Sequence, residues 1–332
     1  MNHKLSYAFS QSFICLGLLT IASLAQAQAP TANNYPSKPV KVLVGFAPGG
    51  AADYVARTIS DSLGKSLGQP IIVENKAGAG SSIAAEAVSK SAPDGYTVLI
   101  ASPSSISVNP ALNPKLGYAP KDLLPVTKIT TSPLVIAANP NAGIGSLLEL
   151  VAKAKKAPGT INYATSGNGS APHLGAALFA QVTGIEMTHI PFRGGGPAIQ
   201  SVVAGDTQLT FGTPPSVLPM IQAGRLKGIG VSTKEKSALV PGIPGSIEAG
   251  VPDYAIEFWY GIFVPNGTPP AIVKKIFDAA QFAMSQPHVK AALAREGTDV
   301  EVSKSPDQFA SFLVDDAKFW VKLVKSAGVK LD

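Results

Sequence analysis

The chain has 332 residues, of which 45% are apolar and only 14% are charged, and its formal net charge is +6. This composition is too apolar and too weakly charged for a disordered protein. The Lys and Arg residues are scattered, with no basic block longer than Lys155-Lys156, so we expect no nucleic-acid partner. A chain of this length is enough for one large core or, more often, for two domains.

Residues 1–29 are predicted to be a secretory signal peptide. The apolar stretch at 13–24 has the usual signal length, is too short to span a bilayer, and is followed by the small-residue cleavage site Ala25-Gln26-Ala27. Cys15 suggests a lipoprotein as an alternative, but Ile14 stands where a lipobox needs a small residue. Since Cys15 is the only cysteine, cleavage leaves an exported protein without disulfides, thiolate catalysis or Cys-based zinc sites.

After the signal, strands, short Gly- or Ser-rich turns and helices alternate. The predicted elements are a strand at Val40–Phe46, a helix at Asp53–Leu67, a strand at Ile71–Val73, a helix at Ser81–Lys90 and a strand at Thr97–Ala101. This recurrence is typical of an α/β domain with a mainly parallel sheet.

A second unit follows an extended segment at 126–139, which we interpret as a strand crossing between domains. Its predicted elements are helices at Ser146–Lys156, from about 171 to Val182, from Pro197 and at Val217–Ala223, and strands at Ile161–Ala164, Thr188–Pro191, Leu209–Gly212 and Lys227–Val231. Residues 255–264 form the return crossing, and helices at Ala271–Met284 and Ser305–Ser326 pack back on the first unit. We therefore predict a discontinuous domain 1 at residues 30–131 plus 257–332, and domain 2 at 132–256.

The loops that follow the predicted strands are rich in Gly and Ser. They are PGG at 48–50, GAG at 78–80, SPSS at 102–105, SGNGS at 166–170 and RGGG at 193–196. In a parallel sheet these loops share one edge, and each precedes a helix whose first N–H groups lack partners, an arrangement that suits carboxylate or phosphate oxygens. Ordinary turns are the alternative. On the binding interpretation, Gly80, Ser81, Ser102 and Ser105 are candidate contacts in one wall of an interdomain cleft.

Several side chains near these loops have two interpretations. Asp53 is either a first-turn acid of its helix or a ligand or water contact, and Arg193 either pairs with a carboxylate or is a solvated surface residue. We expect His173 to hydrogen-bond its own loop and His189 to be packed. We expect the aromatic residues at 258–260 to be core or hinge packing, with coverage of a cleft wall as the alternative.

Long segments of the chain resemble a known family in order and spacing. They are YPSKPVKVLVGFAPGGAADYVAR, QPIIVENKAGAGSSIAAEAVSKSAPDGYTVLIAS, INYATSGNGSAPHLGAALF, THIPFRGGGPAIQSVVAGD and IPGSIEAGVPDYAIEFWYGIFVPNGTPPAIV. The chain is similar to the Bug (TctC-like) family of periplasmic solute-binding receptors of tripartite tricarboxylate transporters. The resemblance covers essentially the whole chain after the signal.

The resemblance implies a two-domain periplasmic-binding-protein fold, type II-like, with mainly parallel sheets and two crossing strands. It implies a monomer without cofactor or metal, which binds a small organic carboxylate in the interdomain cleft and docks transiently on membrane permease subunits. The ligand-binding residues that it implies are Phe46, Pro48, Gly49, Gly50, Ala51, Ala52 and Asp53 on one wall, and Ser166, Gly167, Gly169, Ser170, Phe192, Arg193, Gly194 and Gly195 on the other.

Two departures from the family pattern leave the identity of the carboxylate open. The second loop has GAGSS where GAGGN is more usual, so Ser81 replaces a glycine and adds a hydroxyl. Phe192 and Arg193 stand where Tyr and Lys are common, so a phenol donor is lost and a planar guanidinium is gained. Aliphatic and aromatic mono- and dicarboxylates all remain candidates.

Other functions receive less support from the sequence. An exported α/β hydrolase needs a G-x-S-x-G nucleophile elbow, which is absent, and the chain has no phosphate-binding, zinc-protease or dinucleotide motif. We therefore expect no catalytic residues and no enzyme activity. A carboxylate co-sensor in signalling, rather than an uptake receptor, is an alternative that the sequence does not separate from transport.

Overall fold

The computed structural model describes residues 34–113 and 115–326, so the predicted signal peptide lies outside the described residues. Chain contacts separate Met1–Tyr35 from Pro36–Asp332, and the fold described below lies in the second part. Among the described helices, none combines the length and the apolar character that a bilayer crossing requires.

The order of strands and helices follows the predicted alternation. The strands are β1 (Val40–Val44), β2 (Ile71–Asn75), β3 (Thr97–Ala101), β4 (Leu123–Pro133), β5 (Val135–Ala138), β6 (Asn162–Thr165), β7 (Thr188–Pro191), β8 (Leu209–Gly212), β9 (Lys227–Val231), β10 (Glu257–Pro265) and β11 (Asp299–Val300). The helices are α1 (Ala51–Leu67), α2 (Ser82–Ser89), α3 (Asn109–Leu112), α4 (Leu147–Lys156), α5 (Ala171–Thr183), α6 (Gly195–Ala204), α7 (Pro214–Gln222), α8 (Pro270–Ser285), α9 (Pro287–Arg295) and α10 (Pro306–Ser326).

The predicted bounds of β3, β7, β8 and β9 are confirmed, and the main differences lie at helix starts. Helix α1 begins at Ala51, two residues before the predicted start, because Gly50 has extended backbone and acts as its N-cap. The sequence analysis missed α9, α3 and the π-helical turn before α3 at Ser104–Val108. The residues of that turn are buried and rich in serine, so they have no amphipathic pattern from which a helix could be predicted.

The strands form two sheets, each with its own helices, which we call the first and second lobes. The first lobe has the order β11-β4-β10-β3-β1-β2, and the second has β7-β6-β8-β5-β9. Strands β1, β2 and β3 are mutually parallel, as are β6, β7 and β8, so the predicted carboxyl edges exist. The prediction of mainly parallel sheets needs correction, because β10 and β5 each pair antiparallel with both neighbours.

The two predicted crossings are confirmed as extended chain. Strand β4 pairs antiparallel with β10 from Leu123 opposite Pro265 to Pro133 opposite Glu257, and the chain then enters β5 of the other sheet. Placing β4 and β10 side by side in the first sheet makes the sequence of that lobe discontinuous. The residue limits that we predict for the two domains remain a prediction.

Helix α10 packs on both lobes. At its start, Phe309 belongs to the core cluster of the first lobe and packs edge-on against Trp259, with ring centroids 5.5 Å apart. Near its end, Trp320 packs against Phe258 at 4.8 Å and joins the cluster that contains Phe179 of the second lobe. Trp259 is therefore a packing residue, as expected, and it is 2% exposed.

Asp316 lies in α10 between these two contacts. Its Oδ1 accepts hydrogen bonds from the indole N–H of Trp259 at 3.0 Å and of Trp320 at 2.9 Å, whereas its Oδ2 is buried without a partner. Burial raises the pKa of Asp316 to about 6, although the two indoles and the Lys128 ammonium pull it down. A carboxylate that is more easily protonated in the folded than in the unfolded chain destabilises the fold when ionised.

We expect Asp316→Asn to remove one component of the pH dependence of stability. The folded pKa of about 6 lies above the unfolded value, so the contribution of Asp316 to stability is largest below about pH 4 and is lost as the pH rises through 6. The asparagine carbonyl still accepts from the indoles but does not titrate, so between pH 4 and pH 7 the free energy of unfolding of the variant rises relative to that of the parent, by on the order of 2 kcal/mol.

Urea unfolding between pH 4 and pH 7 measures this difference. Asp315→Asn is the matched control, because the neighbouring Asp315 side chain is 82% exposed and pairs only with Lys318. Equal pH slopes for the parent and Asp316→Asn would contradict the account.

Candidate functional site

Four helices begin around one small cavity between the two sheets. Their N-cap residues are Gly50 for α1, Ser170 for α5, Gly194 for α6 and Thr213 for α7, and none of these caps its helix with a side-chain hydrogen bond. The cavity, which we call the anchor cavity, has a volume of about 30 Å³. Its lining residues are Phe46, Gly50, Ala51, Ala52, Ser102, Ser166, Ala171, Pro172, Gly195, Ala198, Ile199, Thr210, Gly212, Thr213, Ser216 and Tyr260.

The chemistry of the anchor cavity favours an anion without offering it a formal positive charge. Asp, Glu, Lys and Arg are all missing from its lining, so its field comes from the positive ends of the four helices. Helices α1, α5 and α6 contribute first-turn N–H groups. Helix α7 begins with Pro214 and Pro215, which lack N–H groups, and it contributes the hydroxyls of Thr213 and Ser216, which lie 3.2 Å apart.

A second cavity of about 200 Å³ adjoins the first, since Phe46 and Ser166 line both; we call it the distal cavity. Its first-lobe wall is the loop 78–82, and its second-lobe wall contains the segment 166–168 with Phe192 and Arg193. Arg193 is the one charged residue in this lining, is exposed, and forms no ion pair with any described residue. The distal cavity therefore combines the apolar rings of Phe46 and Phe192 with the guanidinium of Arg193, which has no acidic partner among the described residues.

Asp53 holds the shape of the loop before α1 rather than facing either cavity. Its Oδ2 accepts from the Gly49 N–H at 3.1 Å, and its Oδ1 accepts from Arg57 Nε and Asn75 Nδ2, both at 2.9 Å. Asn75 also donates to the Phe46 carbonyl at 3.0 Å. Burial raises the pKa of Asp53, but these hydrogen bonds outweigh it, and the net pKa lies below its usual value.

Several of the predicted glycines lie where the two lobes touch. A Cβ on Gly80 of the first lobe would be 2.4 Å from the Asn168 carbonyl oxygen of the second, and one on Gly169 would be 2.4 Å from Asn109 Oδ1. The Ala47 N–H donates to the Arg193 carbonyl at 3.3 Å across the same boundary. The cleft is thus closed, and the missing side chains of these glycines leave room for the opposite lobe. From the sequence, these glycines were expected to leave room for a ligand.

Ser81 adopts a backbone conformation that non-glycine residues rarely take. Its φ is 75°, its side chain is buried and its hydroxyl has no partner among the described residues. The hydroxyl packs over Gly45, where a Cβ would be only 1.9 Å from Ser81 Oγ. Both residues line the distal cavity, which agrees with the expectation that Ser81 adds a hydroxyl near the cleft.

The predicted site residues fall into two groups. Those that line a cavity are Phe46, Gly50, Ala51, Ala52, Gly80, Ser81, Ser102, Ser166, Gly167, Phe192, Arg193 and Gly195. Those that line neither cavity are Pro48, Gly49, Asp53, Ser105, Gly169, Ser170 and Gly194. Some members of the second group lie beneath the cavity walls and do not face the cavities. The hydroxyls of Ser105 and Ser170 are fully buried, and the Asp53 carboxylate accepts hydrogen bonds from Gly49 and Arg57.

The contribution of α7 to the cavity lining was not among the sequence-based predictions. The Thr213-Pro214-Pro215 segment directly after β8 is a helix-start signal of the same kind as those at the other loops, so Thr213 and Ser216 were accessible to sequence reasoning. Tyr260 was expected to pack in the core or hinge, with coverage of a cleft wall as the alternative, and the structure places it in the lining of the anchor cavity. No local pattern distinguishes it from its buried neighbours in β10.

The expected role of His173 is confirmed. Its Nδ1 accepts from the Gly169 N–H at 3.1 Å, and its ring stacks on His189 at 3.9 Å between centroids. Burial, together with the neighbouring His189, lowers the pKa of His173 to about 3, so the ring stays a neutral acceptor. In the described part of the chain, no group of three or more His, Cys, Asp or Glu residues is placed to hold a metal ion.

Comparison with known proteins gives concordant results. The family model described as "Tripartite tricarboxylate transporter family receptor" (TctC) matches residues 55–329. The chain is 35% identical to Protein BugT of Bordetella pertussis over 313 residues, covering 94% of this chain and 96% of that protein. Two solved structures are similar over their full length: MatC from Rhodopseudomonas palustris with bound malate, at 32% identity over 87% of this chain and TM-score 0.83, and R. palustris Rpa4515 with adipate, at 29% over 90% and TM-score 0.86.

Proposed function

This chain belongs to the TctC family of tripartite tricarboxylate transporter receptors, and from that premise we propose that its anchor cavity binds one carboxylate of a small organic acid between the two lobes. The family consists of solute-binding receptors, and the chain has their two-domain fold. The proposal concerns which group binds, where it binds and which residues hold it.

The convergence of four helix N-termini on one cavity carries this proposal. A helix N-terminus stabilises a negative charge by about 0.3–1 kcal/mol when exposed and by up to about 2 kcal/mol when partly buried. Helix α1 comes from the first lobe and the others from the second, so a bound carboxylate joins the lobes. A Cβ on Gly50 would be 3.6 Å from the Gly195 nitrogen, which brings two of these N-termini together across the cleft.

The ligands of similar proteins support the same chemical class. MatC is described with malate and Rpa4515 with adipate, both of which are dicarboxylates. For this chain we propose a mono- or dicarboxylate whose carbon chain or ring extends into the distal cavity beside Phe46 and Phe192. Among the described residues, no acidic side chain lines either cavity, so these linings offer an ammonium group no counter-charge.

We extend the proposal to the cellular context. The family and its structural neighbours are periplasmic binding proteins. We propose that residues 1–29 are a cleaved signal peptide, that the protein is a periplasmic monomer, and that its closed form delivers the carboxylate to membrane permease subunits. We further propose that the bound acid is released unchanged, since the protein acts as a receptor and not as an enzyme.

A thermal-shift screen of the purified protein tests the proposed function. Succinate, malate, adipate, phthalate and their monocarboxylate counterparts are the probes, and a ligand at about 100 times its Kd stabilises the folded state by about 2.7 kcal/mol. We expect at least one carboxylate to raise Tm by several degrees and to be recovered intact by NMR. A protein that binds no carboxylate, or that converts one to product, would contradict the proposal.

We expect Arg193→Ala to weaken dicarboxylates more than monocarboxylates. The Arg193 guanidinium lies at the distal cavity without an acidic partner, so it is free to pair with a second carboxylate. Because the side chain is exposed, we expect about a fivefold to tenfold loss for adipate and less than a twofold loss for hexanoate.

Isothermal titration calorimetry measures both affinities, and Arg225→Ala controls for the loss of one exposed cation away from both cavities. Equal losses for the two acids would show that Arg193 does not contact a second carboxylate.

A further inference from the structure

Tyr260 is a buried phenol that meets the anchor cavity without a protein partner. Its side chain is 8% exposed and lines that cavity, and its hydroxyl forms no hydrogen bond with any described residue. Two other tyrosine hydroxyls are satisfied, since Tyr118 donates to the Ser105 carbonyl at 2.6 Å and Tyr54 donates to the Ala292 carbonyl at 2.9 Å. The Tyr254 hydroxyl, in the core of the second lobe, is buried without a partner among the described residues. Buried hydroxyls in proteins are normally paired, and Tyr260 differs from Tyr254 in that it lines a cavity, so an acceptor bound there would satisfy its hydroxyl.

The strand that carries Tyr260 is irregular at this position. Tyr260 pairs with Thr130 of β4, but the next residue, Gly261, pairs with Lys128, so Ile129 is an extra residue on β4. Such bulges redirect side chains and are common beside functional sites. Gly261 is also held tightly, because a Cβ there would be 2.5 Å from the Phe309 ring. The backbone around Tyr260 is therefore fixed in register and position.

The strand also connects the site to the crossing between lobes. Strand β10 pairs with β3 on one side and with β4 on the other, and β4 leads directly into β5 of the second lobe. A group that binds Tyr260 thus contacts a strand that is paired with the segment crossing between the lobes. The rest of the lining comes from the helix starts of the two lobes and from strand ends and loops, such as Ser102, Ser166 and Thr210.

We infer that the Tyr260 hydroxyl donates a hydrogen bond to the carboxylate in the anchor cavity, and that Tyr260 couples the bound anion to closure of the lobes on the crossing strand. This inference rests on the proposed function, since it takes the anchored carboxylate as given. It makes Tyr260 a specificity residue for an anionic acceptor and adds a third kind of contact to the helix N-termini and the hydroxyls.

The chemistry of the phenol suits this role. Burial raises the pKa of Tyr260 well above its usual value, so the hydroxyl stays neutral and keeps its proton for donation. A hydrogen bond from a neutral hydroxyl to a carboxylate is shorter and stronger than one to a neutral carbonyl. The hydrogen bond from Tyr260 therefore stabilises a bound carboxamide of the same shape less than it stabilises a bound carboxylate.

Tyr260→Phe tests the inference, because it removes the hydroxyl and keeps the ring that packs in β10. We measure Kd by calorimetry for adipate and for its mono-amide and diamide on the parent and on the variant. The expected result is about a tenfold weaker binding of adipate by the variant and less than a twofold change for the diamide. Tyr54→Phe is the control, since its hydroxyl is bonded to Ala292 and lines neither cavity.

Lobe closure is measured on the same variants by electron paramagnetic resonance distances. Labels at Lys65→Cys on α1 and Lys155→Cys on α4 are specific because Cys15 in the predicted signal is the only cysteine of the chain. At saturating adipate we expect a smaller closed fraction for Tyr260→Phe than for the parent, which a purely structural role would not produce.

The outcomes separate the two proposals. Parent-like affinity for adipate and a parent-like closed fraction in Tyr260→Phe would overturn the inference and leave the proposed function standing. Loss of adipate and diamide binding by the same factor would also overturn it, because the effect would then be structural. A parent protein that binds no carboxylate at all would overturn the proposed function and this inference with it.

Discussion

Replacing Gly80 by alanine is expected to leave the protein folded but unable to close on its ligand. The new Cβ would lie 2.4 Å from the Asn168 carbonyl oxygen of the opposite lobe and 2.9 Å from the Asn109 amide nitrogen. Both neighbours are fixed, because one is backbone and the other donates to the Ala79 and Gly80 carbonyls. We expect at least about a hundredfold loss of affinity for any carboxylate that the parent binds, which corresponds to about 2.7 kcal/mol.

The cost to folding has a separate control. Gly80 has φ 57°, so alanine at this position also lowers the free energy of unfolding by about 1–2 kcal/mol, because its backbone is left-handed. Gly68→Ala imposes a similar strain at φ 76°, but no atom lies within 4 Å of its Cβ. Gly68→Ala therefore controls for backbone strain alone, and we expect it to retain its affinity. We expect Gly80→Ala to lower Tm further, because its Cβ also crowds Asn109 of the same lobe. Unchanged affinity in Gly80→Ala would contradict the interpretation that the lobes meet at this glycine.

Removal of the Asp53 carboxylate is expected to destabilise the protein. In Asp53→Ala the Gly49 N–H, the Asn75 amide and the Arg57 guanidinium all lose their shared acceptor. These donors are only partly buried, so water compensates part of the loss, and we expect a net cost of about 2 kcal/mol. Ligand affinity falls as well, because this network holds Phe46 and the start of α1 at the anchor cavity.

The pH dependence follows from the same network. The folded pKa of Asp53 lies below its unfolded value near 4, so its stabilising contribution is complete above that value and is lost as the pH falls through the folded pKa. Chemical unfolding at pH 7 and at pH 3 compares Asp53→Ala with Asp61→Ala, an exposed acid on the same helix paired only with Lys65. We expect Asp61→Ala to change stability by less than about 0.5 kcal/mol. Equal stability losses for the two variants at pH 7 would contradict the role of Asp53.

The alternation of strands and helices was accessible to sequence reasoning because each β–loop–α unit is local. Short apolar runs such as Val40–Val44 end at Gly- or Pro-containing turns, and the helices after them carry regular apolar spacing. The positions of the ligand loops follow from the rule that parallel strands share one carboxyl edge. The structure places Phe46, Gly50, Ser166 and Gly195 around one cavity, and their role in ligand binding stays a prediction.

The remaining features depend on contacts between segments that are distant in sequence. The antiparallel direction of β5 and β10 depends on where the chain re-enters each sheet, which a local hydrophobic pattern does not specify. The function of Gly80 and Gly169 depends on the opposite lobe, and a glycine beside a ligand has the same sequence signature as a glycine beside backbone. Tyr260 reaches the anchor cavity through a bulge in β10–β4 pairing, which becomes visible only when both strands are placed.

A crystal structure of the protein with a bound dicarboxylate such as adipate is the most direct measurement of how this receptor holds its ligand. The account predicts one carboxylate group in the anchor cavity, with its oxygens about 2.7–3.2 Å from main-chain N–H groups at the starts of α1 and α6 and from neighbouring hydroxyls. A ligand whose carboxylates contact only Lys or Arg side chains, or which lies outside the space between the two sheets, would contradict it.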